Sequence, residues 1–316
     1  MLVGGLGFLG YHLASEAIEC CEVVVAGRRA SVRGIRRRLM KEMESMGVKV
    51  RFAEDRLTKV FLEDLGGDVY VHVAGKISGS YRSQWEAHVG LLSRVIDAAS
   101  SLGSRVVYIS SILAYGRVRG LSRGSRVVEE DEHLTGERDY RSYHSRTKAE
   151  GERLLKNRSQ DLGGKWCILR PGLLVGAWGY HIEWRLSKAM ASLSLYPSAG
   201  FRLNVVPARD VARVALRAFE GLLDGAWVHL APHHPTLGEM YGMLCKMVRN
   251  GRECTGVPIG TIITLTGPLA PPSTSLAAMW EGLDAGYIFD SRVLKDFEWT
   301  PLEESVREFV EWAKST

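Results

Sequence analysis

Short apolar runs rich in β-branched residues recur through the first half of the chain, each about one strand long. Val23–Ala26, Val48–Phe52, Val69–Val73 and Val106–Ile109 read as strands buried on both faces. Between them Gly10–Ile18, Val32–Met46 and Trp85–Ser100 carry helical patterns, the last with apolar positions at Val89, Leu92, Val95, Ile96 and Ala99. A fifth unit follows, helix Thr147–Lys156 and strand Trp166–Leu169. Strand–helix alternation predicts an α/β fold, a doubly wound parallel sheet with helices on both sides. After Gly176 the rhythm changes to helices and loops, with isolated strands near Leu203–Val206 and Ala226–Leu230 and a last helix at Glu303–Lys314. The predicted division is a first domain over 1–176, with returns near 201–231, and a smaller, mostly helical substrate region over 177–316.

Composition narrows the class. With 316 residues, 46% of them hydrophobic and 24% charged, the chain has enough apolar side chains for a substantial core. The formal net charge is +5, and the one dense basic run is Arg28–Lys41. A nucleic-acid binder concentrates its base along a stripe, so this local run predicts a solvent-facing helix and no nucleic-acid partner. The five cysteines, Cys20, Cys21, Cys167, Cys245 and Cys254, form no C-x-x-C pair. That argues against a zinc site and against a secreted disulfide framework. The uncharged stretch Cys254–Trp280 is interrupted by Pro258, Gly260, Gly267, Pro268, Pro271 and Pro272. Its apolar part is too short to span a bilayer, and it reads as a buried helix lining a pocket. A soluble, cytoplasmic protein is the expectation. Few Asn and Gln residues point towards a thermophilic source. The first strand has only Met1–Val3 before Gly4 turns, which suggests a natural start a few residues upstream.

The candidate chemistry begins at that turn. Gly4-Gly5-Leu6-Gly7-Phe8-Leu9-Gly10 follows an apolar start and opens a helix. Small residues admit a pyrophosphate to the backbone, and the helix N-terminus adds N–H groups and a partial positive charge. Gly4, Gly7, Phe8, Leu9 and Gly10 are therefore the expected cradle of a nicotinamide dinucleotide. The second strand ends in Arg28-Arg29, where an acidic residue would bind the ribose 2′-hydroxyl of NAD, and no Asp or Glu lies between Val23 and Met40. Arginine suits a 2′-phosphate, so NADP is the preferred cofactor, with NAD the alternative. Asp55 is a candidate acceptor for the adenine amino group, and Ala74 and Gly75 leave room for the nicotinamide ribose. His72, inside the fourth strand, reads as a core residue. No metal site is indicated.

Together these segments resemble the extended short-chain dehydrogenases/reductases, of the NAD(P)-dependent epimerase/dehydratase superfamily. That group contains sugar-nucleotide epimerases and dehydratases, and carbonyl enzymes similar to dihydroflavonol reductases and 3β-hydroxysteroid dehydrogenases. The matching segments are Gly4–Gly10, Asp68–Gly75, Val107–Gly116, His144–Glu152, Ile168–Gly176, Asn204–Ala212 and Phe289–Pro301, in family order over nearly the whole chain. The resemblance implies a Rossmann-type fold and a Ser–Tyr–Lys mechanism. A Tyr phenolate exchanges a proton with the substrate hydroxyl, a Lys holds the nicotinamide ribose and lowers the Tyr pKa, and a Ser binds the same oxygen. Ser111 and Lys148 fill two of these places, and Pro171 lies in the turn implied to pass the nicotinamide carboxamide. Asp210 matches the family's structural aspartate, with helix capping its expected task.

The third place departs from the pattern. His144, not tyrosine, stands four residues before Lys148, and Tyr143 stands five before it. On a regular helix His144 lies about 40° from Lys148 and Tyr143 about 140°. A bulge at the helix start would restore Tyr143, the expected proton carrier. Otherwise His144 replaces the phenol, or the site is chemically silent. The activities implied are sugar-nucleotide epimerase or dehydratase, or NADPH-dependent carbonyl reductase, acting on a small molecule. The rival is a non-catalytic dinucleotide-binding subunit or redox sensor. Trp178, Tyr180, His181 and Trp184 follow Gly176 as core aromatics or substrate contacts, and a homodimer is the implied assembly.

Overall fold

The computed structural model describes residues 1–129, 138–180 and 182–315. Its centre is a seven-stranded sheet in which every pairing is parallel: β1 (Leu2–Val3), β2 (Val24–Arg28), β3 (Lys49–Ala53), β4 (Val69–His72), β5 (Arg105–Ile109), β6 (Trp166–Pro171) and β7 (Trp227–Leu230). The spatial order is β7-β6-β5-β4-β1-β2-β3, so the winding reverses between β1 and β4. The helices are α1 (Phe8–Ala17), α2 (Ile35–Ser45), α3 (Lys59–Leu65), α4 (Tyr81–Trp85), α5 (Leu91–Leu102), α6 (Tyr143–Asn157), α7 (Ile182–Ser192), α8 (Ala208–Phe219), α9 (Leu237–Val248), α10 (Gly260–Thr266), α11 (Ser275–Ala285) and α12 (Leu302–Ser315). This is the doubly wound, Rossmann-type sheet that the strand–helix alternation predicts.

Side-chain alternation along the strands divides the core in two. Val107 of β5 packs with Leu9 and Leu13 of α1 and Val211 of α8 on one face. Val106 and Tyr108 pack with Leu92, Val95 and Ile96 of α5 and Leu155 of α6 on the other. β3 departs from the prediction of a strand buried on both faces. It is the sheet edge, and Lys49 and Arg51 are exposed there, as suits an edge that must not pair further. The last helix joins a separate cluster, where Val306, Phe309 and Val310 of α12 pack with Trp184 and with Met240 and Leu244 of α9.

One other expectation fails. The stretch Cys254–Trp280 is not a buried helix: none of α10 is buried, and Ile262, Leu265 and Leu269 are exposed. Only Ile263 of α10 turns inward, partly buried against the cluster of α9 and α12. Cys245 of α9 and Cys254 form a disulfide nine residues apart, whereas Cys20, Cys21 and Cys167 are free thiols. The turn after α9 brings the two sulfurs together, which spacing alone does not reveal. α2 buries only Leu39 and Met43, leaving Arg37, Arg38 and Lys41 in solvent as predicted. Among the described residues no helix is long and apolar enough to cross a membrane.

Candidate active site

Open α/β sheets bind ligands beyond the carboxyl ends of their strands, where the winding reverses. The glycine turn lies there. Gly4 has φ +75°, and a Cβ on it would sit 2.5 Å from the Ala74 Cβ, so β1 and β4 meet only because Gly4 has no side chain. Gly7 is the N-cap of α1, and a Cβ there would meet only the Tyr180 hydroxyl, at 3.7 Å. A Cβ on Gly10 would collide with the Gly5 carbonyl at 1.8 Å, so this glycine lets the turn fold onto the helix. The result is a bare backbone concavity at a helix N-terminus, and these residues fit a pyrophosphate.

At the end of β2 the side chains of Arg28 and Arg29 are exposed. Arg29 pairs with Glu54 at 3.4 Å and lies over the Phe52 ring, while Arg28 has no ion pair among the described residues. Asp55 is exposed beyond β3. Pro171 is the last residue of β6 and is buried beside Leu230 of β7. Next to it a Cβ on Gly172 would sit 2.3 Å from the Asn204 carbonyl oxygen.

α6 carries the decisive side chains. Ser142 caps it, its hydroxyl accepting from the Ser145 N–H at 3.1 Å, and the helix is regular from Tyr143 onward. The bulge that would swing Tyr143 towards Lys148 is therefore absent. The Tyr143 ring packs edge-on against Tyr81 of α4, with centroids 5.6 Å apart. His144 turns inward, its Nδ1 lying 3.3 Å from the Lys76 carbonyl oxygen beyond β4. A carbonyl accepts only, so Nδ1 carries the hydrogen and Nε2 is the basic nitrogen. Among the described residues Nε2 makes no hydrogen bond. One turn later, Lys148 Nζ donates to the Ile109 carbonyl at the end of β5, at 2.6 Å, and lies 5.0 Å from the centroid of the Tyr108 ring. Ser111, two residues beyond Ile109, caps a short 3₁₀ turn with its hydroxyl accepting from the Leu113 N–H at 3.2 Å. His144 and Lys148 thus reach the ends of adjacent strands, β4 and β5.

Burial shapes their acid–base behaviour. It pushes Lys148 down to about 7, against the opposing charge of Glu152. It pushes His144 down to about 4, helped by the charge of Lys148 and opposed by the Lys76 carbonyl. Behind them Glu152 receives a two-pronged ion pair from buried Arg170 and a hydrogen bond from the Ser110 hydroxyl.

Three contributions were not legible in the sequence. Buried Glu281, on α11, accepts from the N–H groups of Arg141 and Ser142 and from the hydroxyls of Ser142 and Ser145. It therefore holds the start of α6 from the far end of the chain. His88 lies in a single π-helical turn, Glu86–Gly90, between α4 and α5; the π turn is invisible to a 3.6-residue pattern. A cleft of about 440 Å³ is lined by Arg123, Phe201, Arg202 and Gly260, with the Arg123 guanidinium 4.9 Å from the Phe201 ring centroid.

The rest of the candidates are structural. His72 is fully buried beside Tyr108. Trp178 packs on Tyr11 and Trp312, and Trp184 on Phe309, so both are core aromatics. His181 lies outside the described residues. Asp210 does not cap α8. It sits in the first turn and binds the backbone N–H and hydroxyl of Thr300, both at 2.8 Å, tying α8 to the C-terminal segment. Among the described residues no group of three or more His, Cys, Asp or Glu is placed to hold a metal ion.

A family model described as the NAD dependent epimerase/dehydratase family matches residues 1–222. The chain belongs to that family. Membership makes it an NAD(P)-dependent enzyme and accords with a dinucleotide site at the glycine turn. No match was found among curated protein sequences. Solved structures with the same fold include UDP-glucose 4-epimerase from Thermotoga maritima, at 18% identity and TM-score 0.73, covering 99% of this chain and 98% of that one. UDP-glucuronic acid 4-epimerase from Bacillus cereus in complex with NAD matches at 16% and 0.73, covering 99% and 96%. UDP-N-acetylglucosamine 4-epimerase from Methanobrevibacter ruminantium M1 matches at 15% and 0.72, covering 99% and 97%.

Proposed function

We propose that this enzyme oxidises and re-reduces a carbinol carbon of a nucleoside-diphosphate sugar, with His144 in the place of the tyrosine. The inward turn of His144, on the same face of α6 as Lys148, carries the reading. Nε2, a weak base because burial lowers His144 to about 4, accepts the hydroxyl proton only as the C–H hydride leaves, and returns it when the carbonyl is reduced. Ser111 hydrogen-bonds the same oxygen, and Lys148 holds the ribose of the cofactor. The dinucleotide, cradled by Gly4, Gly7, Phe8, Leu9 and Gly10 beside Ala74, Gly75 and Pro171, supplies the hydride acceptor. The cleft with Arg123 and Arg202 supports a diphosphate substrate, because two guanidiniums beside an aromatic ring suit phosphates next to a base. Residues 1–176 with the returns near 201–231 serve the cofactor and residues 177–316 the substrate, in a homodimer. NADP is preferred, through Arg28 and Arg29, over NAD.

The test has two arms. Each of the three UDP-sugars named above is incubated with the enzyme and its products are followed by NMR, where a C4 epimer is the expected outcome. Hydride transfer is then compared in His144→Phe and Tyr143→Phe. Loss of a general base costs about 10²–10⁴ in rate, and this loss is expected for His144→Phe alone. The opposite pattern returns the role to Tyr143, and full activity in both variants sinks the assignment.

A further inference from the structure

Two imidazoles grip the backbone on either side of one Cα, that of Lys76, four residues beyond the end of β4. The Lys76 N–H donates to His88 Nε2 at 3.0 Å, and the Lys76 carbonyl faces His144 Nδ1 at 3.3 Å. The two rings stand edge to face with centroids 5.3 Å apart. The hydrogens along this chain are determined by elimination. Because the backbone N–H can only donate, His88 Nε2 is bare and Nδ1 carries the hydrogen. Nδ1 lies 2.8 Å from Thr147 Oγ1, and the Thr147 hydroxyl donates to the Tyr143 carbonyl at 2.6 Å. Each member therefore has one available role and fills it. His88 is fully buried, and burial holds its pKa well below the ordinary value, so it stays neutral and Nε2 stays able to accept.

We propose that His88 is a positioning residue: it fixes the backbone at Lys76 so that the Lys76 carbonyl holds His144 as the Nδ1–H tautomer, leaving Nε2 bare. The π-helical turn is what brings His88 to this backbone. One extra residue in the turn shifts the phase of the helix, and such turns recur at functional sites. The proposal rests on the reading of His144 as the proton carrier, but its test does not require turnover.

The test is histidine ¹⁵N NMR on the full chain at pH 7.5, which reads the tautomer of His144 directly. Wild type is expected to show the Nδ1–H form. His88→Gln keeps an acceptor and a donor at nearly the same separation and is expected to retain that form. His88→Leu keeps bulk and loses both, and the tautomer ratio is expected to fall about tenfold, the loss of roughly one hydrogen bond's bias. Where His88→Leu does not fold, Thr147→Val removes the next link, and the same direction of change is expected. An Nδ1–H population unchanged by His88→Leu, or by Thr147→Val in its place, overturns the proposal, as does an Nε2–H form in wild type. If the tautomer depends on His88 while His144→Phe retains full hydride transfer, the proposed function fails and this inference stands.

Discussion

At the scale of single residues, charge and burial set the expected behaviour. Arg28 has no ion pair among the described residues, whereas Arg29 is partly engaged by Glu54. Arg28 is therefore the stronger candidate for a 2′-phosphate. A charge-assisted phosphate contact corresponds to roughly ten- to a hundredfold in affinity. NADP(H) is expected to bind wild type more tightly than NAD(H) by that factor, and Arg28→Ala is expected to remove the difference. Calorimetric titration of both cofactors decides it, and equal wild-type affinities would end the NADP preference. Lys148 gives a second prediction. Its pKa is lowered to about 7 by burial, so it loses its charge as pH rises through neutrality in the cofactor-free enzyme. In its proposed place at the cofactor ribose, Lys148 would be favoured as the cation by bound dinucleotide. Affinity is then expected to decline above pH 7 by up to about tenfold per unit, and Lys148→Met should abolish the slope. An affinity flat from pH 6 to 9 in wild type would refute this.

At the scale of elements, α6 is held at its start and along its interior by different parts of the chain. Its start docks on the C-terminal region through Glu281 and through the Tyr143 N–H, which donates to the Pro272 carbonyl at 2.9 Å. Its interior is bound to the sheet by Lys148 and Glu152. Burial raises the Glu281 carboxyl above its usual range, against the opposing pull of the hydroxyls and N–H groups around it. Glu281→Gln places an amide N–H₂ among groups that only donate or already donate, at a cost of about 1–3 kcal/mol. A lower melting temperature is expected, together with a drop in kcat larger than any change in dinucleotide affinity, because the glycine turn is untouched. An unchanged melting temperature would show that the clamp contributes nothing. The body of α6, Thr147–Lys156, was legible in the sequence, four residues inside its observed start at Tyr143. The clamp was not, because Glu281 lies about 140 residues away and helical patterning carries no record of what an acidic side chain faces.

At the scale of the molecule, the buried histidines dominate the response to acid. Burial lowers His12 and His144 to about 4 and His72 to about 3, and holds His88 well below its ordinary value. An unfolded histidine titrates near 6.5. Between that value and the folded pKa the unfolded chain binds more protons, so stability is complete above pH 6.5 and is lost as pH falls towards 4. Each group contributes up to about 1.4 kcal/mol per pH unit; His12, His144 and His72 together amount to about 6 near pH 5, and His88 acts in the same direction. Against a typical stability of about 5–15 kcal/mol, unfolding is expected between about pH 5 and 4. Denaturant midpoints measured from pH 7.5 downward check it, and a midpoint unchanged between pH 7 and 5 would contradict it.

What the sequence determined by itself is local or periodic. Apolar runs and helical spacing place the central strands, because a parallel sheet buries both faces of each inner strand. The glycine turn announces its use, because only glycine tolerates φ +75° beside Ala74 at Gly4. Ser111 and Lys148 enter as candidates through the resemblance of their segments to the family, which is also local in the sequence. What only the tertiary structure decided is direction and long-range partnership. Tyr143 and His144 are neighbours in the chain, yet one ring faces Tyr81 and the other Lys76, and the 100° step of a regular helix made that choice once Ser142 capped it. Glu281, the π turn carrying His88 and the disulfide between Cys245 and Cys254 depend on how separate segments meet or how one helix slips its phase. Such contacts are settled by packing, and packing leaves no period in the sequence to read.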